Sequence, residues 1–72
     1  MAEFRKAGSR TYYRVDGESV IRIVNMETIS QVDAGKNAFI ICDAMEAGPC
    51  TEQEFTDQFN LALERITKMN IV

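Results

Sequence analysis

The sequence predicts an α+β fold, an antiparallel sheet of three to four strands followed by one C-terminal amphipathic helix packed on one face. Three observations predict it. The turn dipeptide Asp16-Gly17 lies between two runs of β-formers, and a capped helical pattern opens at Thr51. The helical pattern follows the strands instead of alternating with them, which favours an antiparallel sheet.

In chain order, residues 1–10 are small, polar and basic, broken by Gly8 and Ser9, and read as a flexible arm with Phe4 as an anchor. The domain proper then spans residues 11–72. Thr11-Tyr12-Tyr13-Arg14-Val15 forms a first strand, and Ser19-Val20-Ile21-Arg22-Ile23-Val24 pairs with it as a hairpin. Residues 25–28 bend, and Ile29-Ser30-Gln31-Val32 resumes an extended pattern. A loop with Gly35 covers residues 33–37, and the apolar run at residues 38–43 reads as the last strand. Residues 44–50, with Gly48-Pro49, read as connection, because a proline disfavours helix just before it.

The final element carries the most signals. Thr51-Glu52-Gln53-Glu54 fits a capping box, and Cys50 with Phe55 has the spacing of a hydrophobic staple. Phe55, Phe59, Ala62, Ile66 and Met69 recur at intervals of four and three, with Leu63 beside the stripe. Glu64 and Lys68 form an i,i+4 pair in the favourable order.

Both faces of the inner strands are apolar in this reading. Ile21, Ile23, Phe39 and Ile41 fall on one side; Val20, Val24, Ala38, Ile40 and Cys42 fall on the other. One helix shields one face, so the second is expected to meet a larger protein or another copy. Tyr13, Val20, Arg22, Val24 and Ile40 are the expected contact residues. Strong curling of the sheet, or cover by the N-terminal arm, is the alternative.

The chain has 72 residues, near the lower end of what folds alone, and domains of this size often lean on disulfides, metals or oligomers. Its apolar fraction of 46% argues against wholesale disorder. No apolar run approaches the length of a membrane helix and no secretory signal opens the chain, so a cytoplasmic location is expected. There is no histidine, which excludes a Ser-His or Cys-His pair within the chain. Cys42 and Cys50 do not form a zinc pattern and are expected as free thiols, Cys42 in the core and Cys50 in the staple. Asp16 with Glu18, and Asp43 with Glu46, are the carboxylate pairs on which acid–base chemistry could be built. Asp16 is also favoured in a turn for backbone reasons alone. The glycines match neither a phosphate loop nor a dinucleotide fingerprint. No catalytic residue, cofactor, metal or small-molecule substrate is expected.

Charge is uneven. Arg5, Lys6, Arg10 and Arg14 face only Glu3 in the first fourteen residues, whereas residues 43–57 carry acids alone. Arg10 and Arg14 interleave with Tyr12 and Tyr13, and with Arg5 and Lys6 they give the alternative function, a weak nucleic-acid binder that stacks bases and neutralises phosphates. The net charge of −3 runs against it.

Val24-Asn25-Met26-Glu27-Thr28-Ile29, following Tyr13-Arg14-Val15-Asp16-Gly17, resembles the short V-N-x-x-x-I strand–bend–strand signature of small FlbD-like flagellar or swarming proteins. The same signature opens LytTR-type DNA-binding domains, whose downstream basic segments this chain lacks. The FlbD-like resemblance covers about residues 11–69, with a further strand at 38–43 and an acidic-starting helix after it. The connection at 44–50 is longer than that family's. The resemblance implies a small accessory or regulatory protein, with no catalytic residues to carry over. The leading expectation is a non-enzymatic protein-interaction module, self-associating or bound to a larger protein. Accessory subunits and phage or mobile-element proteins are often of this kind.

Overall fold

The computed structural model of the chain describes residues 2–36 and 38–69, with the side chains of Ala38, Phe39 and Met69 outside the description. The order is β1 (Glu3–Ala7), β2 (Thr11–Asp16), β3 (Ser19–Asn25), β4 (Ser30–Gly35), α1 (Ala38–Glu46), β5 (Gly48–Pro49) and α2 (Glu52–Met69). The strands form one antiparallel sheet in the order β4-β3-β2-β1-β5. The expected α+β class, antiparallel sheet and C-terminal helix are all present, with more strands than expected and one more helix.

The β2–β3 hairpin forms where Asp16-Gly17 signals it, with the turn one residue later. Asp16 pairs with Ser19, so Gly17 and Glu18 make the two-residue loop. Gly17 has φ +62 and Glu18 a negative φ. A glycine at the first loop position is what a type II′ turn requires, and its twist matches the flanking strands.

Register sorts the side chains onto two faces. Lys6, Tyr12, Ile23 and Val32 align across four strands on one face, beside Phe4, Arg14, Ile21 and Ala34. Arg5, Tyr13, Arg22 and Asp33 align on the other, beside Glu3, Val15, Val20 and Gly35. The first face packs under α2, where Phe55 and Ala62 are buried against Tyr12 and Ile23. Phe4, Ile21, Val32, Cys50 and Phe59 close that cluster. The Phe4 ring lies 5.4 Å from Phe55, which stacks on Phe59 at 5.9 Å. The second face packs under α1: Ala44 is fully buried against Tyr13, Val15 and Val20, with Ile40, Ile41 and Ala47 around it.

Four expectations are corrected, one of them that residues 44–50 are connection: residues 44–46 finish α1, and Gly48–Pro49 forms β5. Residues 38–43 begin a helix and do not form a strand. The run is too short for period alone to separate strand from helix. Read on to Ala47, its packed residues are Ile40, Ile41, Ala44 and Ala47, which is helical spacing. Ala44 lets the helix axis come close to Tyr13 and Val20. Residues 3–7, expected in a flexible arm, are β1, held by β2 on one side and β5 on the other. Gly8 and Ser9 are indeed breakers, but they make the β1–β2 turn. Residues 33–35, expected in a loop, complete β4.

Candidate interaction surface

The α2 cap forms largely as its sequence indicates. Glu54 N–H donates to Thr51 Oγ1 at 3.0 Å, and Phe55 N–H reaches Thr51 O at 3.2 Å. The Glu54 carboxylate turns back toward Thr51, whose backbone N–H helps to lower its pKa. It accepts from the Thr51 hydroxyl at 3.4 Å and from Lys6 Nζ at 2.9 Å, tying the helix start to β1. The hydrogen bond from Lys6 holds the Glu54 carboxyl below its ordinary pKa, and the same bond raises Lys6. Glu64 accepts from Lys68 at 3.0 Å as the spacing indicates. Cys50 packs beside Phe55, and burial pushes its thiol pKa up; Glu54 adds to this while Lys6 opposes it. Cys42, expected in the core, is exposed on α1, because the residue belongs to a helix and not to an inner strand.

Four of the five expected contact residues, Tyr13, Val20, Arg22 and Val24, share one face of the sheet, and α1 occupies part of it. Tyr13 and Val20 are 5% and 1% exposed, which removes them from any contact surface. Ile40 lies on α1 itself and packs onto them. Burial raises the Tyr13 phenol, with Asp43 adding to the effect and Arg22 opposing it. Arg22 and Val24 are half-buried. Arg22 binds Asp33 on β4 through Nε at 3.2 Å and Nη2 at 2.5 Å, which lowers the Asp33 pKa.

The four cations of the nucleic-acid reading are dispersed. Arg5 turns to the α1 side and donates to Ala47 O at 3.1 Å and Met45 O at 3.5 Å. A guanidinium there complements the negative end of α1. Lys6 is on the opposite face with Glu54, Arg14 pairs with Asp16 at 3.7 Å, and Arg10 is exposed in the β1–β2 turn. Of the carboxylates, Asp16 and Glu18 sit at the hairpin tip with Arg14 and Lys36 respectively. Asp43 and Glu46 line an open groove with Ala7, Tyr13 and Ala47. Among the described residues, no group of three potential metal-binding side chains is assembled, and no helix is long and apolar enough to cross a membrane.

Among the described residues, one edge of the sheet is left open. The β1 side ends in β5, two residues long, with Pro49 opposite Arg5 and Gly48 opposite Lys6. Cys50 N–H donates to Phe4 O at 3.1 Å beside it. A very short edge strand carrying proline offers little template for further pairing. On the other side lies β4, six residues with no proline, lysine or arginine. Its backbone direction follows from two hydrogen bonds of 2.8 Å: Asn25 N–H to Arg10 O, and Met26 N–H to Ile29 O. Antiparallel alternation then turns Gln31, Asp33 and Gly35 toward β3. Ser30, Val32 and Ala34 turn their N–H and C=O groups outward, where no described strand pairs with them.

Side-chain hydrogen bonds tie this edge to α2. Asn25, 8% exposed, donates to Gln58 Oε1 at 2.8 Å and Gln58 O at 3.2 Å, and accepts from Ser30 Oγ at 2.6 Å. Arg65 reaches from α2 to Met26 O at 2.6 Å and Glu27 O at 3.3 Å, pinning the β3–β4 turn. Reading the sequence alone missed both the edge and the clamp. Asn25 stood out only through the V-N-x-x-x-I pattern, and Pro49 marked the closed edge only once β5 was known.

No family model, curated protein or solved structure matches the chain at a significant level.

Proposed function

We propose that this chain is a non-enzymatic protein-interaction module that binds by adding a strand to β4. The observation that carries the reading is the asymmetry of the two sheet edges. One is closed by β5 and Pro49; the other presents three outward backbone positions on a strand anchored by Arg22, Asn25 and Arg65. Strand addition takes affinity from main-chain hydrogen bonds and specificity from alternate side chains. The two faces flanking β4 differ, with Val32 and Ala34 on the α2 side and Gln31 and Asp33 on the other, so an incoming strand meets a sided surface.

Ala34→Lys places a charge on the exposed edge without entering the core. The tagged chain and this variant are compared by cross-linking in cells of the native host, with sites mapped by mass spectrometry. Cross-links near β4 that disappear in the variant support the reading. Cross-links unchanged by the variant, or confined to surfaces away from β4, refute it.

A further inference from the structure

Resting on that reading, we propose that the strand received by β4 is β4 of a second copy, giving a two-fold dimer with one continuous ten-stranded sheet. The strand is complementary to itself in one antiparallel register. Only outward residues can exchange backbone bonds, so Ser30, Val32 and Ala34 must meet Ser30, Val32 or Ala34 of the other copy. Two registers overlap five residues each. Centred on Asp33, the pairing sets that carboxylate directly opposite its own copy, which is unfavourable. Centred on Val32, it sets Val32 against Val32, Ser30 against Ala34, and Gln31 against Asp33.

The second register matches chemistry as well as geometry. Gln31 Nε2 already donates to Asp33 within the chain, at 3.3 and 3.5 Å to its two oxygens, so the same donor–acceptor pair recurs across the dimer axis. Each Asp33 remains neutralised by its own Arg22. On the α2 side, Val32 pairs with Val32, an apolar β-branched contact that suits a strand surface. The two copies exchange about six backbone hydrogen bonds.

The outward amides give the test a local readout. Sedimentation equilibrium of the full chain, from micromolar to millimolar, is expected to show the mass rising from 8.1 kDa toward twice that value. Amide exchange followed by NMR is expected to slow with concentration at Ser30, Val32 and Ala34, and to stay unchanged at Gln31 and Asp33, which already bond to β3. Ala34→Lys and Ala34→Pro are expected to weaken dimerisation by roughly tenfold or more; the proline removes an outward N–H and no β3–β4 bond. An unchanged circular dichroism spectrum shows that each variant is folded, and Ala34→Lys serves if the proline variant is not. A strict monomer at millimolar concentration overturns the proposal, and so does a dimer that both variants leave intact. A monomer whose β4 amides are protected only when a different protein binds also overturns self-pairing, while leaving the interaction-module reading standing.

Discussion

Replacing Asn25 by alanine tests the polar clamp that sets the β3–β4 edge. The substitution removes two donated bonds to Gln58, at 2.8 and 3.2 Å, and one accepted from Ser30 at 2.6 Å. The backbone bond from Asn25 N–H to Arg10 O is retained. Each lost side-chain bond is worth about 0.5–1.5 kcal/mol net. Gln58 and Ser30 are half-buried and can turn to water, so little desolvation cost is left behind. The expected loss is therefore about 2–3 kcal/mol. A domain of this size has roughly 4–11 kcal/mol in total, so the change is large. It corresponds to a fall in Tm of about 10–20 °C, read by circular dichroism during heating. Urea unfolding of the same variant gives an independent value from the midpoint shift at constant slope. Gln58→Ala is expected to cost less, because Asn25 keeps its bond to the Gln58 backbone carbonyl. A loss below about 0.5 kcal/mol for Asn25→Ala would be no more than an ordinary surface change and would refute the clamp.

Three further outcomes follow from the packing and the charges. Ala44→Leu is expected to cost about 1–3 kcal/mol by overpacking α1 against Tyr13 and Val20, and neutrality in urea unfolding would place this residue elsewhere. Glu54 and Asp33 have depressed pKa values, so their stabilisation is full above the ordinary carboxylate range and drains as pH falls through and below it. Lys6 is raised, so its share persists below the ordinary lysine pKa and is lost in stronger alkali. Thermal unfolding between pH 2 and 7 should show a shallower acid decline in Glu54→Gln, and an identical decline would contradict the Lys6–Glu54 pair. Exposed Cys42 is expected to react with a thiol reagent well before Cys50, whose pKa burial raises; in Cys42→Ser only the slow phase should remain.

The nearness of Lys6 to Glu54 also shows why the basic N-terminal residues do not gather into one cluster. Charge counted along the chain suggested a segment available to phosphate. Strand alternation sends Arg5 to the carbonyls of α1 and Lys6 to the start of α2, so neighbours in sequence serve opposite faces. The apolar surplus on the sheet has a similar explanation. Residues 38–43, counted as part of the sheet, instead begin the helix that covers its second face.

By itself, the sequence determined the elements whose signals are local. The β2–β3 hairpin follows from β-formers around a glycine that takes positive φ, and α2 follows from its cap at Thr51, its staple and an eighteen-residue amphipathic pattern. Those signals act within a few residues and need no partner to be read. Only the tertiary structure decided β1, α1 and the open edge. Glu3-Phe4-Arg5-Lys6-Ala7 has little intrinsic strand preference and becomes β1 because β2 offers an edge and Phe55 a packing site for Phe4. The run at residues 38–46 becomes helix because Ala44 fits beneath Tyr13 and Val20, a choice made by long-range packing. Which edge stays open depends on where residues 48–49 land, and that position is fixed only once the rest of the sheet exists.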